Sequence, residues 1–323
     1  MKVLVVGSSK IDLFFEVIEK SHIKSSGNDV LLAAGDKIPI DIKRIALGGN
    51  GANISVGLKR LGHETTFFTY FGNDVFSKEM EDIIKKEGIN LKAQNIGDKS
   101  SLSLILDLDK DRIIFSHHEP KAHPFTYDDP ALPDFVYLIS VGPSWEETYE
   151  EVLEFVKKNN IPLIFTPGSP QIDSASQVLK DVTDSAKIIF VNLDEAKKLL
   201  KLQGIQVQQN PKEILSKMKS LGAEVVSVTD GLNGAYAIDK NNETYFIKPF
   251  GQEAVERTGA GDAYASSFLA HYLLGLDVAE CMKRGTFNAN SVVSKVGAQE
   301  GLLNKEEMEK IAADNKDFKA EKI

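Results

Sequence analysis

Cysteine is almost absent from this 323-residue chain, and that scarcity excludes a good deal. Cys281 alone cannot form an internal disulfide, has no nearby Cys or His pattern for zinc, and fits a reducing compartment; it reads as a buried helix residue. Long apolar runs are missing as well. None approaches the ~20 residues of a membrane span, and the run at residues 3–6 stops at Gly7-Ser8-Ser9, short of a signal-peptide core. A cytoplasmic protein is the expectation. Basic residues are outnumbered, 38 Lys plus Arg against 47 Asp plus Glu. The formal net charge of −9 speaks against a non-specific nucleic-acid or anionic-membrane surface, while leaving an anionic ligand open.

Several signatures of phosphate and metal chemistry are missing too. There is no G-x-x-x-x-G-K-[ST] loop, no H-R-D with D-F-G, and no H-E-x-x-H. A dinucleotide fingerprint fails twice, because the last glycine position holds Ile54 when counted from Gly49 and Tyr264 when counted from Gly259. His117-His118-Glu119-Pro120 reads as a solvated strand end rather than a metal site. No internal repeat, low-complexity tract or linker long enough to separate a pair of domains is visible, so residues 1–323 read as a single unit.

What is present is a regular alternation. Residues 2–6 form an apolar run closed by Gly7, the pattern of a buried central strand, and residues 11–17 a strand of mixed exposure. The polar stretch 21–43, with Gly27, Gly35 and Pro39, suits loops and short strands in a small excursion from the main body. A helix over 50–61, with Ile54, Leu58 and Leu61 at helical spacing, is stopped by Gly62; a strand at 65–71 and a helix at 76–86 follow. Residues 101–115 return to strands around a turn at Asp109-Lys110-Asp111, a second excursion. Beyond it come strand 135–141, helix 145–158 with a Ser144/Glu147 capping box, strand 162–166, a helix near 171–180, strand 187–191 and helix 193–201. Helix 211–221, strand 224–229 and a hairpin through 234–238 and 244–248 lead to helices 259–274, 278–296 and 305–313. Asp277 and Asn304 read as N-caps of the last two, with Glu280 and Glu307 completing the boxes, and the charged tail 314–323 is expected to fray. Strands alternating with such helices predict an α/β fold with a mostly parallel sheet covered on both faces and ligands beyond the carboxyl ends of the strands.

Four glycine- or amide-rich stretches fall at such ends. In residues 256–267, E-R-T-G-A-G-D-A-Y-A-S-S, a loop turns into a helix, so the backbone N–H groups of Gly259, Ala260 and Gly261 can meet one anion while Asp262 follows in the first turn. An acid beside an anion hole suggests phosphoryl transfer; for the stretch taken alone, an ordinary turn with Asp262 as cap is the simpler reading. In Gly48-Gly49-Asn50-Gly51-Ala52-Asn53 the glycines allow close approach, and Asn50 and Asn53 have the donors and acceptors that sugar hydroxyls require; a tight loop capped by Asn50 is the plain alternative. In Asn192-Leu193-Asp194-Glu195 a capping box is a complete structural reading, and a Mg²⁺–phosphate complex held through waters is compatible with it. Thr229-Asp230-Gly231-Leu232-Asn233-Gly234 is either a plain hairpin turn or a loop for nucleotide phosphates.

Together these residues resemble the PfkB/ribokinase family of carbohydrate and nucleoside kinases, over nearly the whole chain. Gly48 to Asn53 and Thr258 to Asp262 match the two family signatures. The resemblance implies a ribokinase-like fold, ATP and Mg²⁺ as cofactors, and transfer of the γ-phosphoryl group to a primary hydroxyl of a small sugar or sugar derivative. It gives Asp262 the role of base and the Gly259-Ala260-Gly261 turn that of anion hole. Asp12, Gly48, Gly49, Asn50 and Asn53 match acceptor-binding positions. Asn192 and Glu195 match an N-x-x-E motif for Mg²⁺ and phosphate, Thr229, Gly231 and Gly234 a nucleotide loop, and Asn288 part of an adenine wall. The excursions, roughly residues 12–46 and 97–117, correspond to a β-sheet lid that closes over the sugar and often pairs with a second subunit, which makes a homodimer the expected partner state.

Two positions depart from the family. Glu256 stands where an Asp often helps bind a monovalent cation, which leaves K⁺ use open. Arg257, beside the anion hole, is placed either to touch the transferred phosphate or a charged substrate, or to face solvent. A nucleoside kinase is the alternative enzyme, with Phe14, Phe15 or Phe115 as stacking surfaces, and a sugar-binding regulator without catalysis the alternative class. A helix N-terminus lowers the pKa of an acid, which predicts an Asp262 that is ionised at neutral pH and modest as a base.

Overall fold

The computed structural model describes residues 1–26, 29–108, 112–119, 124–208, 210–251 and 258–323. In chain order the strands of its first half are β1 (Lys2–Val6), β2 (Lys10–Val17), β3 (Lys24–Ser26), β4 (Asp29–Leu31), β5 (Ile40–Gly48), β6 (Glu64–Gly72), β7 (Asn90–Gly97), β8 (Leu102–Asp107) and β9 (Arg112–His117). Those of the second half are β10 (Phe135–Ile139), β11 (Leu163–Thr166), β12 (Ile188–Asn192), β13 (Val225–Thr229), β14 (Ala235–Ile238), β15 (Thr244–Ile247) and β16 (Glu321–Lys322). The helices are α1 (Asn50–Arg60), α2 (Val75–Lys86), α3 (Glu146–Asn159), α4 (Ser169–Ser174), α5 (Gln177–Ser185), α6 (Leu193–Leu202), α7 (Pro211–Lys219), α8 (Ala260–Leu273), α9 (Val278–Val293) and α10 (Lys305–Asp314).

Ten strands form the main sheet in the order β16-β15-β14-β13-β12-β11-β10-β1-β6-β7. Pairing is parallel from β7 to β13 and antiparallel from β13 to β16. Successive side chains of a strand leave by opposite faces, and β1 shows the result. Val3 and Val5 join the core built with Ile54 of α1, Phe268 of α8 and Phe287 of α9; Leu4 and Val6 join the core built with Val152 of α3, Leu199 of α6 and Leu215 of α7. Burial on both faces is why the central strands read as continuous apolar runs.

A second sheet, ordered β5-β2-β8-β9, is assembled from the two polar excursions, with β3 and β4 as a separate small ladder. The turn expected at residues 109–111 lies outside the described residues. Other expectations change. The helix expected near 171–180 is two helices, because Ala175 adopts a left-handed φ of 54° and Ser176 caps a new start by accepting from the Val178 N–H. The Ser144/Glu147 box gives way to a start one residue later, with Trp145 at the N-cap position of α3 and no side-chain cap. Edge strand β7 was not anticipated. Nor does the tail fray: β16 pairs with β15, and the Phe318 ring packs 5.0 Å from that of Phe250 and 5.5 Å from that of Phe287. Its charged neighbours hide that anchor in the sequence. No helix among the described residues is long and apolar enough to cross a membrane.

Candidate active site

Gly259 caps α8 at φ +79°, a left-handed conformation that side chains rarely adopt, and a Cβ there would lie 2.6 Å from the Cβ of Ala298. Glycine is therefore required. The chain enters α8 so that the first N–H groups, those of Ala260 and Gly261 among them, have no intrahelical acceptor. Gly261 and Asp262 line a cavity of about 570 Å³ at the carboxyl ends of the parallel strands.

Asp262 is partly buried and accepts hydrogen bonds from Asn53 Nδ2 at 2.8 Å and Asn50 Nδ2 at 3.2 Å. Burial pushes its pKa up to about 6; the bonds from Asn53 and Asn50 and the charge of Lys10 oppose that rise, and the charge of Glu195 adds to it. The expected lowering by the helix terminus is thus overturned, because desolvation of the carboxylate outweighs the dipole. Asn53 is 4% exposed and gives its other end, Oδ1, to Gln299 Nε2 at 2.9 Å. Asn53 thus links Asp262 to Gln299, and it is not among the residues that line the main cavity. Asn50 donates to Asp262 and also lines the cavity with Gly49.

Asp12, on β2, is buried against Gly48 so closely that a Cβ on Gly48 would lie 2.0 Å from its Oδ2. Lys10 Nζ stands 3.7 Å from its Oδ1 and lines the cavity with Ser9, Ser101 and His118. Burial lowers the pKa of His118. These four residues were not anticipated. Only Lys10 carries a readable signal, being two residues from Asp12 on the same strand and hence on the same face.

Asn192 and Glu195 form the complete capping box at the start of α6, with both bonds at 2.9 Å, and both still face the cavity. Burial raises the pKa of Glu195. Thr229 ends β13, and Thr229 and Gly231 line the main cavity together with a second of about 300 Å³ that also contains Gly234, Phe250, Ala289 and Asn290. Asn288 does not face it. It is wholly buried, donating from Nδ2 to the Ala263 carbonyl at 2.8 Å and accepting at Oδ1 from the Leu303 N–H at 2.9 Å, which removes it from the expected wall; its helix neighbours Ala289 and Asn290 line the smaller cavity instead. Glu256 and Arg257 lie outside the described residues. Among the described residues no group of three or more His, Cys, Asp or Glu could hold a metal ion.

The geometry thus joins an acid, a glycine turn with N–H groups that lack intrahelical acceptors, and two cavities that share Thr229, Gly231, Gly261 and Tyr264. A family model described as pfkB family carbohydrate kinase matches residues 3–305. The chain belongs to this family. It is a phosphotransferase of the carbohydrate-kinase type with a ribokinase-like α/β fold. A 5-dehydro-2-deoxygluconokinase of Clostridium tetani is 25% identical over 296 residues, covering 86% of this chain and 87% of its own. A nucleoside kinase of Methanocaldococcus jannaschii is 24% identical over 314 residues, 93% of each chain. The crystal structure of ribokinase from Thermotoga maritima matches with a TM-score of 0.73 at 23% identity, covering 96% of this chain and 99% of that one.

Proposed function

We propose that the kinase transfers the γ-phosphoryl group of ATP to a primary hydroxyl of a small sugar or sugar derivative, with Asp262 as base. The observation that carries this reading is the position of Asp262, hydrogen-bonded by Asn50 and Asn53 in the first turn of α8, where the two cavities share Gly261. Its pKa of about 6 leaves it ionised at neutral pH yet able to take a proton. The transition state of phosphoryl transfer is loose, so positioning and charge neutralisation outweigh basicity, and the proton leaves the acceptor late. The N–H groups of Gly259, Ala260 and Gly261 are the natural receptors for charge on the transferred group.

The smaller cavity, with Pro249, Phe250, Ala289 and Val293 in its wall, suits a purine base, and Thr229 and Gly231 at its junction with the larger one suit the phosphates. Glu195 has one oxygen committed to the Asn192 N–H, so the donor set fits Mg²⁺ held through waters and phosphate rather than by an all-protein cage. Bound there, Mg²⁺ would neutralise phosphate charge. A cytoplasmic setting accords with ATP supply.

On the acceptor side, Ser9, Lys10, Asn50, Ser101 and His118 offer polar contacts suited to a sugar. Of the aromatic candidates for stacking on a nucleoside base, Phe14 packs with Ala46 and Ile105 inside the small sheet and neither Phe15 nor Phe115 lines the main cavity, which favours the sugar reading. Lys10 on β2, Ser101 before β8 and His118 after β9 all come from the small sheet or its ends, which supports its role as a lid. Its row Ile45-Leu13-Leu104-Phe115, in cross-strand register and with Ile45 49%, Leu104 37% and Phe115 50% exposed, supports pairing with a second copy.

Screening sugars and nucleosides for ADP release, with and without K⁺, identifies the acceptor. Asp262→Asn is expected to lower turnover on it by roughly two to four powers of ten with ATP binding largely kept. Near-normal turnover in that variant rejects the assignment, and absence of ADP release across the panel favours a sugar-binding regulator.

A further inference from the structure

We propose that Gln299 is a positioning residue for the base: by occupying one end of the Asn53 amide it dictates which end faces Asp262. An amide presents a donor at one end and an acceptor at the other. Asn53 Oδ1 accepts from Gln299 Nε2 at 2.9 Å, and Asn53 Nδ2 donates to Asp262 Oδ2 at 2.8 Å. Turning the amide over would set a carbonyl against the carboxylate and an NH₂ against the Gln299 NH₂. Both contacts would be wrong at once, and with Asn53 4% and Gln299 6% exposed, water is poorly placed to compensate.

Gln299 is itself held. Its main-chain carbonyl accepts from Arg60 Nη1 at 2.7 Å, the Leu302 main-chain carbonyl accepts from the same nitrogen at 3.1 Å, and Arg60 is fixed from behind by Glu87, through Nε at 3.1 Å and Nη2 at 2.6 Å. Ala298, the preceding residue, packs on Gly259. One short segment after α9 therefore buttresses both the anion-binding turn and, through Asn53, the acid. The groups facing Asp262 are Asn50 and Asn53 from α1, Lys10 from β2, Glu195 from α6 and Tyr137 from β10; Gln299 acts from behind the first of these elements.

The catalytic consequence rests on Asp262 being the base, but the test does not need an acceptor. The Asp262 carboxyl is titrated by ¹³C NMR in the full chain without nucleotide or sugar, its signal assigned by its absence in Asp262→Asn. Gln299→Leu is expected to raise the midpoint by about half a pH unit or more, roughly a threefold gain in proton affinity. Asn53→Ala should raise it comparably, and the double variant no further than Asn53→Ala alone, since Gln299 acts through Asn53. A midpoint unmoved in Gln299→Leu overturns the proposal, as does a Gln299→Leu effect that persists undiminished in the Asn53→Ala background. Should Gln299→Leu fail to fold, Gln299→Met, which also lacks the donor but keeps an unbranched shape, replaces it in the same cycle. A failed search for an acceptor would count against the kinase reading and leave these titrations unaffected.

Discussion

Asp262 holds its charge against desolvation, which bears on stability and, with Asp262 as the proposed base, on activity. A base that titrates near pH 6 should give kcat an acid limb centred there, falling tenfold per unit at lower pH; a pH–rate profile on the identified acceptor checks this. The stability sign is opposite. Because the folded-state pKa lies above the ordinary 3.8, the native state binds more protons between about pH 4 and 6, so this group's contribution to stability improves as pH falls through that window. Thermal melts of the wild type and Asp262→Asn across the window should converge towards its acid end. A second residue-scale expectation concerns Asp12, which fills the space where a Gly48 side chain would be. Gly48→Ala should displace that carboxylate and raise the KM for the acceptor tenfold or more while leaving the KM for ATP within about twofold. Steady-state kinetics in both substrates decide it, and parallel changes in the two would mean that the whole loop has collapsed.

At the scale of elements, the segment after α10 supports the wall of the smaller cavity, the proposed nucleotide side. Phe318 follows α10, and its ring meets Phe250, which lines the smaller cavity, and Phe287 of α9; Phe250 and Phe287 lie 4.7 Å apart edge to face. Phe318→Ala should cost about 2–3 kcal/mol, as its ring is only partly buried, and should raise the KM for ATP while sparing that for the acceptor. Melting temperature and the two KM values check this. The small sheet connects to the active-site frame by another element contact. Arg44 of β5 donates to Glu300 and, at 3.3 Å, to the Val296 carbonyl, so the strand that leads into the Gly48 turn is tied to the segment carrying Gln299.

For the whole molecule, the exposed apolar row on the small sheet is a surface that calls for an explanation among the described residues. A sheet face with Ile45, Leu104 and Phe115 this exposed is unfavourable in water, and a second copy would cover it symmetrically. Sedimentation equilibrium should report a dimer, and Ile45→Glu with Phe115→Glu should halve the apparent mass; a monomeric wild type rejects the pairing. Because Lys10, Ser101 and His118 come from the same sheet or its ends, the charged variants should also alter acceptor KM more than ATP KM.

Most of the order of strands and helices, and the turn that carries Asp262, were determined by the sequence alone, since both depend on short-range patterns of period two, period 3.6, glycines and caps; edge strands β7 and β16 and the break at Ala175 were not. The capping boxes at Asn192 and Asn304 are local in the same way. What only the tertiary structure decided is the environment of the charges. The pKa of Asp262 moves up because packing desolvates it, which no neighbour in sequence announces. Asn53 meets Asp262, 209 positions away, and Gln299, 246 positions away, because the order of the sheet and the packing of α1 against α8 bring them to it. Asn288, read as part of a ligand wall, proves to be a buried link between two backbones for the same reason. Hydrogen bonds over such separations depend on how elements stack, and a linear pattern can name their residues without pairing them.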